Sequence, residues 1–205
     1  MLSGTDFDAL GKATFSAVVS AGVDWVQVRE RQRPGQALLA LVDEVLWAAR
    51  AGAERAGRSV QVLVNRRIDV ALAVGADGVH LGFDGAPPSA ARRLLGEERL
   101  VSAACHAPAE VDAAEGADTV HLAPVFAPLS KPASRTPLGL EALARAACSR
   151  REVLAQGGIT PDNAGACVAA GARGVAVTGS ILGAGDPVAA TAALRAALDA
   201  VAAPS

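Results

Sequence analysis

The 205-residue sequence has no tyrosine, and four phenylalanines with two tryptophans supply its entire 3% aromatic content. A general nucleic-acid binder needs stacking platforms and a basic field. With few rings and a formal net charge of -2, this chain has neither, and no nucleic-acid partner is expected. Cysteine is scarce and odd in number, at 105, 148 and 167. That argues against a disulfide framework and for a reducing, cytoplasmic setting. No apolar run reaches the roughly 18 residues that span a bilayer, and the first thirty residues lack the order of a secretory signal. No membrane partner is expected. Lysine is nearly absent too, with Lys12 and Lys131 set against seventeen arginines. What is abundant is apolar: 51% hydrophobic against 20% charged excludes a disordered chain. The length fits one domain over residues 1–205.

A short phrase recurs along the chain. It reads AGVDWV at 21–26, VGADGV at 74–79, EGADTV at 115–120 and AGARGV at 170–175. Each copy follows an Ala-rich amphipathic stretch and opens a β-branched run. Glycine accepts the left-handed turn that ends a helix, and the Val-rich run after it is a strand. The pattern predicts strands over 25–29, 61–65, 78–81, 100–104, 119–123, 153–156 and 174–178, with helices between most of them, as over 35–55 and 140–150. Nearly all-apolar short strands alternating with helices point to a (β/α)8 TIM barrel, with an open doubly wound sheet as the rival. The barrel needs an eighth strand, and MLSGTDFD at 1–8 is too polar and turn-prone to be one. Either residues 1–3 supply a fragment or the first strand is lacking.

In a parallel barrel the strand ends and the loops after them carry function. Gln27, Arg29 and Arg31 alternate along VQVRER, so an extended chain sends all three to one face. Asn65 and Arg66 end the second strand, Asp84 follows the third, and Cys105 and His106 end the fourth. Ser130 and Lys131 lie in the long Pro-rich loop after the fifth. Gly157 and Gly158 follow the sixth, and Thr178, Gly179 and Ser180 follow the seventh. These last two turns are candidates for a phosphate site, since bare backbone amides can approach an anion and a helix start favours negative charge. Arg29, Arg31, Arg66 and Lys131 offer a second anionic pocket, whereas Arg67 reads as solvated rim. His80, His106 and His121 each have an ordinary reading as hydrogen-bonded strand histidines. The three cysteines read as small buried hydrophobes, and no spacing makes a zinc site.

Five segments together resemble the thiamine phosphate synthase and TenI family. They are QVRER (27–31), VNRRIDVALAVGADGVHLG (64–82), SAACHAPAEV (102–111), APVFAPLSKP with PLGLEAL (123–132 and 137–143), and GGITPDNAGACVAAGARGVAVTGSI (157–181). The resemblance implies a cytoplasmic phosphate-binding barrel, often a homo-oligomer. Its synthase condenses hydroxymethylpyrimidine pyrophosphate with thiazole phosphate and releases pyrophosphate. Taken with the reading of the residues above, it makes Arg29, His106 and Lys131 catalytic candidates. Gln27, Arg31, Asn65, Arg66, Ser130, Gly157, Gly158, Thr178, Gly179 and Ser180 become substrate-binding candidates. It also implies magnesium, but Arg66 and Gly85 stand at the two metal-linked Asp positions, which leaves Asp84 as the candidate ligand of a weakened site. The TenI branch, a thiazole phosphate tautomerase, is the alternative, although its histidine is replaced by Pro124. A non-catalytic thiazole or thiamine phosphate-binding protein is the third.

Overall fold

The computed structural model describes residues 1–127 and 135–202. Seven parallel strands hydrogen-bond in sequence order: β1 (Trp25–Val28), β2 (Gln61–Asn65), β3 (Gly78–Leu81), β4 (Leu100–Cys105), β5 (Thr119–Leu122), β6 (Glu152–Gln156) and β7 (Gly174–Ala176). Among the described residues, ten helices accompany them: α1 (Gly4–Leu10), α2 (Lys12–Ser20), α3 (Gly35–Arg55), α4 (Ile68–Val74), α5 (Pro88–Leu95), α6 (Pro108–Ala113), α7 (Gly139–Ala147), α8 (Pro161–Ala169), α9 (Gly179–Leu182) and α10 (Pro187–Ala202). Among the described residues, no helix is long and apolar enough to cross a membrane.

The recurring phrase does what its glycine requires. Gly22, Gly75, Gly116 and Gly171 all have positive φ, and Gly75 is a left-handed cap on α4. The aspartate of the phrase has a job that its spacing alone did not announce. Asp77 accepts from the N–H of Val62 at 2.7 Å, and Asp118 from that of Val101 at 2.8 Å. Each carboxylate thus pins the entry of one strand to its predecessor.

Among the described residues the strands are the seven read from the sequence, and residues 1–3 supply a fragment in place of the barrel's first strand. Leu2 makes a single parallel bridge to Val28, donating to Gln27 O at 2.8 Å and accepting from Arg29 N at 2.7 Å. The Met1 amine reaches Val177 O at 2.9 Å. The chain then leaves the sheet because Ser3 caps α1: its Oγ accepts from the N–H of Asp6, whose carboxylate accepts in turn from the N–H of Ser3. The sheet therefore curls without β7 pairing to β1. A cavity of about 910 Å³ lies at this seam, lined on one side by Val26 and Gln27 and on the other by Val175 and Val177. β7 is accordingly half-buried along its length, while β5 is buried throughout.

Alternation along the strands divides two environments. Val64, Val79 and Val101 share a row and pack outward under the helices, as do Val120, Leu122 and Ala155 farther round. α3 covers part of this surface with Leu38, Leu41, Val42, Val45 and Ala49, one apolar stripe at helical spacing. It also crosses close over α2, since a Cβ on Gly52 would stand 2.3 Å from Ser16 O. The opposite row, Asn65, His80, Ser102 and Thr119, is buried and polar. Cys105 and Cys167 are buried, and burial lifts both thiols to about 11. Cys148 departs from expectation: it follows the last turn of α7, which stops at Ala147, and is exposed.

Two histidines meet inside the sheet, with ring centroids 4.4 Å apart. His80 Nδ1 lies 3.1 Å from Ser102 Oγ, and His121 Nδ1 lies 3.2 Å from Gln156 Oε1. Burial lowers His121 to about 4; burial and then the charge of His121 push His80 well below the usual imidazole range. Both rings are neutral in the fold, and unfolding releases them to bind protons near pH 6.5. Stability is therefore complete above that pH and is lost as pH falls from 6.5 towards 4. His121 alone should remove about 3 kcal/mol by pH 4, with His80 adding in the same direction. Urea unfolding at stepped pH checks this, and His121→Leu should flatten the profile.

Candidate active site

The strand ends bring most of the expected residues to one rim. Gln27, at the third position of β1, is buried, with Nε2 3.5 Å from Oδ1 of buried Asn65. Beyond β1 the chain turns around Glu30. Its carboxylate accepts from the N–H groups of Arg31 and Gln32, both at 2.7 Å, and of Gly4 at 3.0 Å. The backbone hydrogen bond from Gln32 does most to hold Glu30 below the usual carboxylate range. This half-buried anchor fixes the loop carrying Arg29 and Arg31. Its signal was visible only as an acid flanked by two bases.

Arg29, Arg31, Arg66 and Asp84 are close enough to shape one another's charge. Burial, followed by the positive charges of Arg31 and Arg66, pulls Arg29 below the usual guanidinium range, and Asp84 opposes this. Arg66 has φ +67°, an uncommon conformation for a residue with a side chain. Hydrogen bonds hold the turn, from Arg66 N to His80 O and from Arg67 N to Asn65 O, both 2.9 Å. Arg66 Nη2 then reaches the Asp84 carboxylate at 2.9 Å and the Asp84 carbonyl at 3.1 Å. A hydrogen bond from its own backbone N–H, and next Arg66, lower the Asp84 carboxyl below its ordinary range. Arg67 takes the rim position expected of it, paired with Asp69 at 2.6 Å.

These residues do not fit a magnesium ion. Such an ion wants carboxylate oxygens with phosphate and water. Asp84 is engaged by a guanidinium, position 66 is cationic and position 85 has no side chain. Among the described residues, no group of three or more His, Cys, Asp or Glu is placed to hold a metal.

His106 follows β4. Its Nδ1 lies 2.8 Å from Ala123 O, which can only accept, so Nδ1 carries the proton and Nε2 is left as an acceptor. Its ring centroid is 5.9 Å from that of Phe83, which is 69% exposed, and the Arg135 guanidinium stands 5.9 Å from the Phe83 centroid. Ser130 and Lys131 lie outside the described residues.

The two glycine-bearing turns converge. Gly157 and Gly158 have φ of +96° and +63°. A Cβ on Gly157 would meet Pro124 at 2.8 Å, and one on Gly158 would stand 2.3 Å from Ala127 O. Asn163 Nδ2 donates to Gly158 O at 2.9 Å, which ties the turn to the first turn of α8. Ser180 Oγ donates to Ile159 O, binding the turn after β6 to the one after β7. The Ser180 hydroxyl, expected to face a ligand, is thus committed to the scaffold. Gly179 and Ser180 open α9, where the first N–H groups of a helix have no carbonyl in a preceding turn.

Comparison with known proteins agrees with this architecture. The family model described as thiamine monophosphate synthase matches residues 4–181. A thiamine-phosphate synthase of Roseiflexus castenholzii is 40% identical over 197 residues, covering 93% of this chain and 84% of that protein. A bifunctional thiamine biosynthesis protein ThiM/ThiE of Symbiobacterium thermophilum is 42% identical over 188 residues, which are 90% of this chain but 37% of that longer protein. The solved thiamine phosphate pyrophosphorylase of Pyrococcus furiosus is similar at a TM-score of 0.79 and 28% identity, over 93% of this chain and 90% of that one. Matched over most of its length, the chain belongs to the thiamine monophosphate synthase family.

Proposed function

We propose that this chain is a thiamine-phosphate synthase, joining hydroxymethylpyrimidine pyrophosphate to thiazole phosphate with release of pyrophosphate. The observation that carries this reading is the presence of two unlike anion-complementary groups at the ends of one set of parallel strands. One is the guanidinium corner of Arg29, Arg31 and Arg66; the other is the pair of turns at Gly157–Gly158 and Thr178–Ser180 joined by Ser180 and Ile159. Relatives near 40% identity that carry the synthase name support the same assignment.

In this reading the thiazole phosphate lies on the backbone amides of the two turns, and the diphosphate lies against the arginines. The pyrimidine C–O bond breaks first, and its electron pair stays on the departing pyrophosphate oxygen. The thiazole nitrogen then gives its lone pair to the resulting methylene carbon and forms the C–N bond. No proton has to move in either step, so the chain's task is electrostatic and positional. Arg29, held by the Glu30 anchor, meets the charge that grows on the leaving group. Gln27 and Asn65 orient the pyrimidine from the barrel interior. His106 offers Nε2 as an acceptor, and the resemblance assigns Ser130 and Lys131, which lie outside the described residues, to the substrate anions as well. The tautomerase alternative would draw on His121, but a buried imidazole at about 4, bonded to Gln156, is a poor base near neutral pH.

Formation of thiamine phosphate from the two substrates tests the proposal. Arg29→Ala should lower kcat/KM by roughly 100-fold or more, the loss expected when a preorganised charge on the transition state is removed. Absence of product from the unaltered chain would remove the synthase reading. Gly158→Ala addresses the other half of the site. It forces a side chain into a left-handed turn against Ala127 O and should cost about 1–3 kcal/mol of stability, together with a raised KM for thiazole phosphate. Thermal unfolding and steady-state kinetics separate the two effects.

A further inference from the structure

The Arg66–Asp84 pair sits in a cationic corner. Arg31 and Arg66 both bear on Arg29 there, and Asp84, in contact with Arg66 at 2.9 Å, is the acid that offsets them. Three guanidinium charges against one carboxylate leave an excess of about two positive charges, which suits a diphosphate and repels a dication. The Arg66 backbone is held at positive φ by its bond to His80 O, a strained conformation that surrounding contacts sustain. The pair packs beside Gly82, where a Cβ would lie in ordinary contact, 3.5 Å from Asp84 Oδ1 and 3.9 Å from Arg66 Cδ.

We propose that Arg66, with Arg29 and Arg31, binds the diphosphate group without a divalent metal, and that Asp84 is a counter-ion which the diphosphate displaces from Arg66. This rests on the synthase reading for the identity of the substrate, but the site itself is defined by inorganic pyrophosphate. Guanidinium suits the role because its planar fork can exchange one carboxylate for phosphate oxygens in similar geometry. Asp84 is exposed on the rim, so an incoming anion can reach and replace it.

Calorimetric titration with inorganic pyrophosphate in EDTA tests the proposal. Binding is expected in EDTA, with no gain in affinity when magnesium replaces the chelator. Asp84→Asn frees Arg66 and should tighten binding about 3- to 10-fold, whereas Arg66→Asn should weaken it about 10- to 100-fold. Asparagine is chosen because it tolerates the left-handed backbone at position 66. If that variant fails to fold, Asp84→Asn decides alone, because a metal ligand and a competing counter-ion predict opposite signs. Heat that appears only with magnesium, loss of binding in Asp84→Asn, or no binding in either buffer overturns the proposal. Condensation assayed in parallel keeps the two readings apart. Product formed with magnesium, alongside no pyrophosphate binding in EDTA, leaves the synthase and removes the metal-free site. Binding in EDTA without condensation does the reverse.

Discussion

A parallel ladder in sequence order is the constraint on which the rest depends. It sends every C-terminal strand end to one rim, so residues as far apart in sequence as Arg29 and Ser180 can serve one site. The ladder holds its register because the two faces differ in kind. Val64, Val79 and Val101 lie under helices, while Asn65, His80 and Ser102 turn inward. A slip of one residue in β3 would put His80 beneath α4 and Val79 among polar groups, and both exchanges are costly. Asp77 and Asp118 reinforce the same register by pinning strand entries.

The rim is built against its own electrostatics. Bringing Arg31 and Arg66 near a partly buried Arg29 is unfavourable without a ligand. Glu30 is spent on backbone N–H groups, so its charge anchors a loop more than it neutralises the arginines. Asp84 and Arg66 satisfy each other only at an exposed edge, where such pairs contribute little to stability. An anion that enters this corner is met by charges already in place. Such preorganisation makes electrostatic catalysis effective, since little reorganisation is left for the moment of reaction.

Most of the strand frame was legible because short apolar runs and repeated glycines carry local information. β2 and β3 match their expected bounds, and α3 spans its predicted 35–55. What was not legible depended on partners distant in sequence. MLSGTDFD reads as polar, yet Leu2 still pairs because Val28 offers it a strand edge. The inward direction of His80 is fixed by its register with Asn65 and Ser102, which no single segment reveals. At the site, the rim residues were legible by type and by position after each strand. The hub made by Glu30, the commitment of Ser180 to Ile159 and the Arg66–Asp84 pair were not, since each is a side-chain choice among several partners.

The two anion groups solve different problems. On the synthase reading, the turns at Gly157–Gly158 and Thr178–Ser180 would offer a phosphate backbone dipoles that carry no net charge, which suits a group that enters and leaves unchanged. On the same reading the arginine corner would face a group whose charge grows as its ester bond breaks, so full positive charges are better matched to it. Full charges bring a difficulty of their own, because a corner that stabilises departing pyrophosphate also retains it. Asp84 supplies the remedy on the reading proposed for it. As pyrophosphate dissociates, the carboxylate can take back Arg66, so the free enzyme does not leave that guanidinium unpaired. The same exposed ion pair that adds little to folding can in this way favour turnover.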